Sequence, residues 1–367
     1  MNNEEIAAIV EQFQLDGEFI YGESYGCGHI NDTYAVYFRR ESEPPIRYIL
    51  QRINTAIFEP VGLMHNISLV TDFLRKQIVK EGGDPDRETL RILPTKDDAS
   101  FYKDADGNCW RMYKFIENTV TYQSAATAVV SRNAGKAFGH FQKQLSGFDA
   151  SQLVEIIPDF HNTRKRFETF KKAVEEDAVG RVASAKDAID FVLAREKYCD
   201  TVIRELGSDT IPLRVTHNDT KLNNILMDPE TGDSVCIVDL DTIMPGSVLY
   251  DFGDSNRFGS NTAVEDETDL SKVTFSLEMF GAYTEGFLEA AGDALTEREI
   301  ELLPFSCIQM TYECGMRFLT DYLQGDTYFK VSHDTHNLER ARNQFKLIED
   351  MESKLDKMSA IVQKAKK

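Results

Sequence analysis

His217, Asp219 and Asn224 stand in one stretch, RVTHNDTKLNNILM, and two more carboxylates, Asp239 and Asp241, follow the short apolar run VCIV. Those residue types suit phosphoryl transfer, which needs a nucleophile held in line and charge neutralised on the transferred group. A carboxylate on a loop can orient and deprotonate a hydroxyl, which suits Asp219 as the base. An amide oxygen and a second carboxylate are hard oxygen ligands of the kind magnesium takes between phosphates, which suits Asn224 and Asp239. Asp241 is close enough in sequence to join them. His217 reads as a brace of the loop, because no histidine or cysteine stands near it at zinc-site spacing. A polar loop closing a β-hairpin is the plain alternative.

The surrounding elements must bring these residues together. A strand entering at Arg214, then a hairpin with arms at 225–227 and 235–238 and the turn Asp-Pro-Glu-Thr-Gly-Asp, would return Asp239 beside Asp219. Around this β insert, residues 124–146, 159–178, 184–206, 271–290, 297–323 and 336–365 carry helical periodicity. Earlier in the chain the pattern differs. A first helix over 4–15 precedes short β-branched and aromatic runs at 19–25, 33–39 and 47–53, with Glu43-Pro-Pro45 separating the last two. A helix at 60–80 follows, then strand character at 90–93, 100–102 and 109–116. The spacing predicts an α+β chain in two parts. Residues 1–116 form a small antiparallel β-rich lobe with one packed helix. Residues 117–367 form a mainly helical lobe with the hairpin insert.

The pattern H-x-D-x-x-x-x-N, an apolar run and Asp resembles the catalytic signature of the protein-kinase-like fold, in the branch of aminoglycoside phosphotransferases and choline kinases. The resemblance implies a bilobal kinase fold with Asp219 as base and Asn224 and Asp239 as magnesium ligands. Asp251-Phe-Gly253 spells the magnesium motif of protein kinases, but it opens a predicted helix instead of ending a strand. Asp239 has the strand context, so Asp251 is expected to brace the catalytic loop. The turn Gly26-Cys-Gly28-His29-Ile-Asn31 joins two predicted strands. Glycines let backbone amides approach phosphates, although a hairpin alone would also explain them. By the resemblance, Gly26 and Gly28 cover the phosphates of ATP. The family carries Lys or Arg on the third strand to meet those phosphates. Here Gln51 takes that position, Arg52 points to the other face, and Asn66 or Glu59 would be the helix partner. The stretch Trp110–Glu117 is similar to the last strand and interlobe hinge, with adenine meeting the backbone at Phe115, Ile116 and Glu117.

Longer strings, GHINDTY, YILQRIN, YKFIENTV, HNDTKLNNILMD, DLDTIMPGS and ECGMRF, are similar to those of the N-acetylhexosamine 1-kinases, in order over nearly the whole chain. That resemblance implies an amino sugar, GlcNAc or GalNAc, phosphorylated at its C1 hydroxyl, with His29, Asp219, Arg317 and Tyr328 as sugar contacts. Arg317 reads equally as a salt-bridge partner and Tyr328 as a core residue. An alcohol of another kind (amino alcohol, homoserine or aminoglycoside) and a silent nucleotide- or sugar-binding protein are the competing expectations.

The chain has 367 residues, 42% hydrophobic and 28% charged, an ordinary globular composition. Acidic residues outnumber basic ones 61 to 41, a net charge of −20 that argues against nucleic-acid and anionic-membrane partners. It also demands that a nucleotide site bring its own metal ion. The scattered cysteines form no C-x-x-C pair and read as reduced thiols. The N-terminus, MNNEEIAAIVEQF, is acidic where a signal peptide is basic, and no run approaches the ~20 apolar residues of a membrane span. A cytoplasmic monomer is the default expectation.

Overall fold

The computed structural model describes residues 1–26, 30–41, 43–124 and 127–366. The first part is an antiparallel sheet of β1 (Glu18–Ser24), β2 (Asp32–Arg40), β3 (Glu43–Ile53), β4 (Ile92–Leu93), β5 (Tyr102–Lys103) and β6 (Cys109–Lys114). Its order is β1-β2-β3-β6-β4, with β5 also on β6. Two helices pack on it, one more than expected on the sheet. Ile6, Ile9 and Val10 of α1 (Asn3–Val10) meet Val36, Phe38, Leu50, Trp110 and Met112 on one face. Leu63, Met64 and Ile67 of α2 (Pro60–Glu81) meet Ile53, Cys109 and Tyr113 on the other. Strand side chains alternate between faces, so Gln51 and Arg111, paired across β3 and β6, share the α2 side. Glu43-Pro-Pro45 does not separate two strands as expected: it begins β3. The ladder is irregular between Phe38 and Arg40, opposite those prolines. A bulge spares a proline the N–H it cannot donate.

Beyond the sheet come α3 (Ala128–Gln144), α4 (Thr163–Glu176), α5 (Lys186–Leu193), α6 (Val248–Gly259), α7 (Leu277–Ala291), α8 (Glu297–Gln324) and α9 (His336–Ala365). The helix expected over 184–206 stops early. The Tyr312 hydroxyl on α8 donates to Val192 O at 3.0 Å, occupying a carbonyl that the next turn would need. Two small ladders interrupt the helices: β7 (Arg214–Thr216) pairs β10 (Met244–Gly246), and β8 (Ile225–Met227) pairs β9 (Ser234–Ile237). Cys109, Cys199, Cys236 and Cys307 are buried and unbridged, and burial pushes the Cys199 thiol up to about 11. No helix of the described residues is long and apolar enough to cross a membrane.

Helices α3 and α7 touch backbone to backbone. A β-carbon on Gly286 would overlap the Arg132 carbonyl, and one on Gly135 would overlap the Tyr283 carbonyl. Since Gln142 of α3 also holds Val215 and Asp251 beside the loop after β7, this contact matters beyond packing. Gly286→Ala is expected to destabilise the protein by about 2–4 kcal/mol, because a backbone cannot yield as a side-chain tip can. Urea unfolding monitored by circular dichroism measures it; an unchanged midpoint would refute the close approach.

Candidate active site

The loop after β7 is fixed from beneath by one carboxylate. Asp251, in the first turn of α6 and 1% exposed, accepts the His217 amide at 2.9 Å and the Asn218 amide at 2.8 Å. Gln142 of α3 donates to the same carboxylate at 3.0 Å and to Val215 O at 3.0 Å. Thr220 closes the loop by donating its hydroxyl to Asp251 O. Asn218 takes a left-handed conformation, φ +64, that Asn tolerates better than most residues. Asp251→Ala would strand three buried donors. The expected loss is about 3–5 kcal/mol of stability with collapse of activity, read by chemical denaturation; a loss under about 1 kcal/mol would show that other contacts hold the loop.

His217 is fully buried against the edges of Phe138 and Phe141. Its Nε2 lies 3.0 Å from Val238 O and its Nδ1 accepts the Asp219 amide at 3.3 Å. These partners require the proton on Nε2. The ring thereby joins the loop to the residue before Asp239. It faces backbone groups on both sides and offers no free lone pair.

Asp219 is half-buried, with Lys221 Nζ 2.8 Å from Oδ1 and Asn224 Nδ2 3.2 Å from Oδ2. Asn224 Nδ2 also donates to Asp219 O at 2.8 Å, which leaves its Oδ1 to face elsewhere. Asp239 follows β9 in a left-handed conformation, φ 60. Its carboxyl is pushed up to about 6, by burial first and then by the charges of Asp241 and Asp219, with His217 and Arg111 offsetting only part. That is a site short of positive charge. Among the described residues no three His, Cys, Asp or Glu side chains could hold a metal ion. Asp239 and the free oxygen of Asn224 nonetheless fit magnesium, provided phosphate oxygens complete its shell.

Lys221 was not singled out from the sequence, although it lies two positions past Asp219 in the same motif. Burial would lower its pKa, but the charges of Asp219 and Asp254 outweigh that and raise it. Arg111 was also missed, because only strand register sets it opposite Gln51. It donates to Gln51 Oε1 through Nε at 3.1 Å and Nη2 at 2.9 Å, and Nη2 lies 2.5 Å from Asp241 Oδ1. Asp241 also accepts Asn31 Nδ2 at 2.6 Å. One carboxylate beyond the hairpin thus holds two groups of the sheet lobe. The helix partners expected for Gln51 are engaged elsewhere. Glu59 caps α2 through the amides of Val61 and Gly62, and Asn66 binds Val154 and the Ile243 carbonyl. Gln51 instead donates to Thr33 Oγ1. Arg52 points away, paired with Asp32.

At the other end of the cleft, the Arg47 guanidinium stacks 3.8 Å from the Phe115 ring centroid and pairs with Glu117, while Tyr25 meets Phe115 edge to face. The amides of Ile116 and Glu117 donate to no backbone carbonyl of the described residues. Val120 and Met227 exchange both backbone hydrogen bonds at 2.9 Å, so the segment after β6 is tied to the β8–β9 hairpin. Gly26 has φ +78 and open space where a β-carbon would lie. Gly28 and His29 lie outside the described residues.

Arg317 and Tyr328 come together. Tyr328 OH is 3.5 Å from Arg317 Nη2, and the guanidinium lies 5.6 Å from the ring centroids of Phe160 and Phe329. Asp321 holds this corner by accepting the amides of Thr327, Tyr328 and Phe329. Tyr328 is 70% exposed, so it is not core, and Arg317 forms no salt bridge among the described residues. One turn before Arg317, Glu313 accepts Thr163 Oγ1 at 2.6 Å and lies 2.7 Å from His161 Nδ1. Charge continues from there to the loop. Burial would raise the Asp254 carboxyl, but Arg257, His161 and Lys221 hold it below the usual range. His161 Nε2, Asn218 Oδ1 and Tyr250 OH have no hydrogen-bond partner among the described residues, and their residues border one cavity of about 90 Å³, room for a few waters.

A β-sheet lobe hinged to a helical lobe, with a carboxylate loop between them, is the architecture of a kinase-like phosphotransferase. The sequence model of the phosphotransferase enzyme family (APH) matches residues 26–283, and the chain belongs to that family. Solved structures with the same fold include spectinomycin phosphotransferase APH(9)-Ia in complex with ADP and spectinomycin (TM-score 0.60, 12% identity, 97% of this chain and 99% of that one). Choline kinase from Cryptosporidium parvum Iowa II is another (TM-score 0.57, 12% identity, 96% of each chain). A third is an amicoumacin kinase in complex with AMP-PNP and Ca2+ (TM-score 0.52, 12% identity, 98% of this chain and 92% of that one). As a member of this family the protein is a small-molecule phosphotransferase with an alcohol as acceptor.

Proposed function

We propose that the protein transfers the γ-phosphoryl group of ATP to the C1 hydroxyl of an N-acetylated hexosamine, GlcNAc or GalNAc. The acceptor end carries this reading. Arg317 and Arg166 lie close enough that, after burial, Arg317 is the next cause lowering the Arg166 pKa. Neither forms a salt bridge among the described residues. Two neighbouring guanidiniums beside exposed Tyr328, offset only in part by the buried carboxylate Glu313 and by Asp159, disfavour a cation such as choline or an aminoglycoside. They favour a neutral sugar, whose hydroxyl and acetyl oxygens accept N–H bonds and whose C–H face packs on an aromatic ring.

In this reading Asp219 accepts the proton of the C1 hydroxyl as the new O1–P bond forms and the bond from phosphorus to the ADP oxygen breaks. Asn224 orients Asp219, and Lys221 balances its charge before and after it takes the proton. His217 and Asp251 hold the loop still. The Ile116 and Glu117 amides are available to adenine. Asn224 and Asp239 would hold magnesium, which when bound offsets charge on the phosphates.

The test is transfer from ATP to GlcNAc, GalNAc, choline and spectinomycin, with the product phosphate located by 31P and 1H NMR. A C1 phosphate on either sugar, with choline and spectinomycin inert, is the expected result. Preferred transfer to choline or spectinomycin would overturn it.

A further inference from the structure

We infer that Arg111, reaching across from the neighbouring strand, is the nucleotide-phosphate cation of this active site. The inference rests on the phosphotransferase reading above and assigns a residue within it. A triphosphate entering a chain of net charge −20 needs fixed positive charge. Beside the carboxylates Asp219, Asp239 and Asp241, the described cations in contact are Lys221, on Asp219, and Arg111, on Asp241. Lys221 pairs with Asp219, the proposed base, at 2.8 Å, so Arg111 is the cation that remains on the side of the sheet and of Gln51.

Its surroundings are those of a group held in place and not used up. The pairing Gln51↔Arg111 puts both side chains on one face, and the Gln51 amide oxygen takes Nε and Nη2 together, fixing the guanidinium plane. Asp241 takes Nη2. Nη1 meets nothing better than the Met64 sulfur at 4.0 Å, a weak acceptor. Arg111 therefore keeps N–H donors that only a stronger acceptor would satisfy, and a phosphate oxygen is such an acceptor. Helix α2 presents Met64 there and no carboxylate. Asp241 does that work instead, from two positions beyond Asp239, and the charges of Arg111 and Asp239 act on each other. Arg111 is 1% exposed. Phosphate must consequently compete with Asp241 for the guanidinium, which makes Asp241 the brake on nucleotide affinity.

A charge pair buried for stability alone would leave the same picture, so the test separates the two. Arg111→Met by itself strands a buried carboxylate and can fail to fold; the decisive comparison is Asp241→Asn against Arg111→Met/Asp241→Asn. Affinity for ATP is measured by calorimetry at saturating magnesium, beside the wild type. Asp241→Asn is expected to bind at least as tightly as wild type, and the double variant about 10–100-fold more weakly than Asp241→Asn. Equal affinity of those two variants would overturn the role of Arg111, reducing it to a counter-ion of Asp241. A wild-type protein that binds no ATP would overturn the proposed function instead, and the assignment with it. As a second readout, Gln51→Lys added to the double variant should recover part of the lost affinity, because it restores a cation on the same face.

Discussion

Asp219→Asn is expected to lower kcat by about 10³–10⁴-fold while leaving the fold and nucleotide affinity intact. The substitution keeps the shape of the side chain and an oxygen that Asn224 can still approach. It removes the ability to accept a proton and unpairs Lys221, now 2.8 Å from the carboxylate. Asp219 is partly exposed, so unlike Asp251 it carries little of the fold. Single-turnover transfer to the sugar, run beside a thermal melt, measures both sides. A melt unchanged within a degree or so with kcat collapsed would assign the proton transfer to Asp219. Retention of more than about a tenth of the activity would show that another group, or no group, takes the proton.

Asp239→Asn should act in opposite directions on activity and stability. The wild-type carboxyl, pushed up to about 6, is ionised at neutral pH against burial and two neighbouring carboxylates. A carboxyl whose folded pKa lies above its unfolded value costs the fold stability at every pH above the unfolded value. Neutralising it should therefore stabilise the metal-free protein, on the order of 1–2 kcal/mol. The same change removes the only carboxylate proposed to hold magnesium, so kcat/KM should fall by at least about 10³-fold and not recover with excess metal. Melting in EDTA and activity across a magnesium titration test the pair of effects. A variant that is both less stable without metal and still active would refute the electrostatic account and the ligand assignment together.

Much of this site could be read from the chain because its parts are local. Asp219, Asn224 and Asp239 lie on one loop and one hairpin, and a hairpin brings its ends together wherever it is placed. The same holds for the hydrophobic stripe of α2 and the alternation that sends Arg52 away from Gln51. What misled was equally physical. Glu43-Pro-Pro45 has the composition of a connection, yet a bulge accommodates it as the start of β3. Residues 184–206 have helical spacing throughout, yet a hydroxyl from α8 takes a carbonyl at the end of α5.

The proposed acceptor end is ambiguous in the sequence for a different reason. Arg317 and Tyr328 could each be structural until the surroundings were known, since a side chain's exposure depends on what packs over it. Tyr328 is 70% exposed, and Arg317 lies among aromatic rings with no salt bridge among the described residues, although its charge acts on Glu313.

The sequence by itself thus determined the chemical parts and their local order, since residue types and short-range periodicity suffice for a loop, a hairpin and an amphipathic helix. Only the tertiary structure decided how the charges are shared. Arg111 meets Gln51 through strand register, and both Arg111 and Asn31 meet Asp241 across the lobes. Ion pairing of this kind depends on distance in space and on burial, and neither is written in the spacing along the chain.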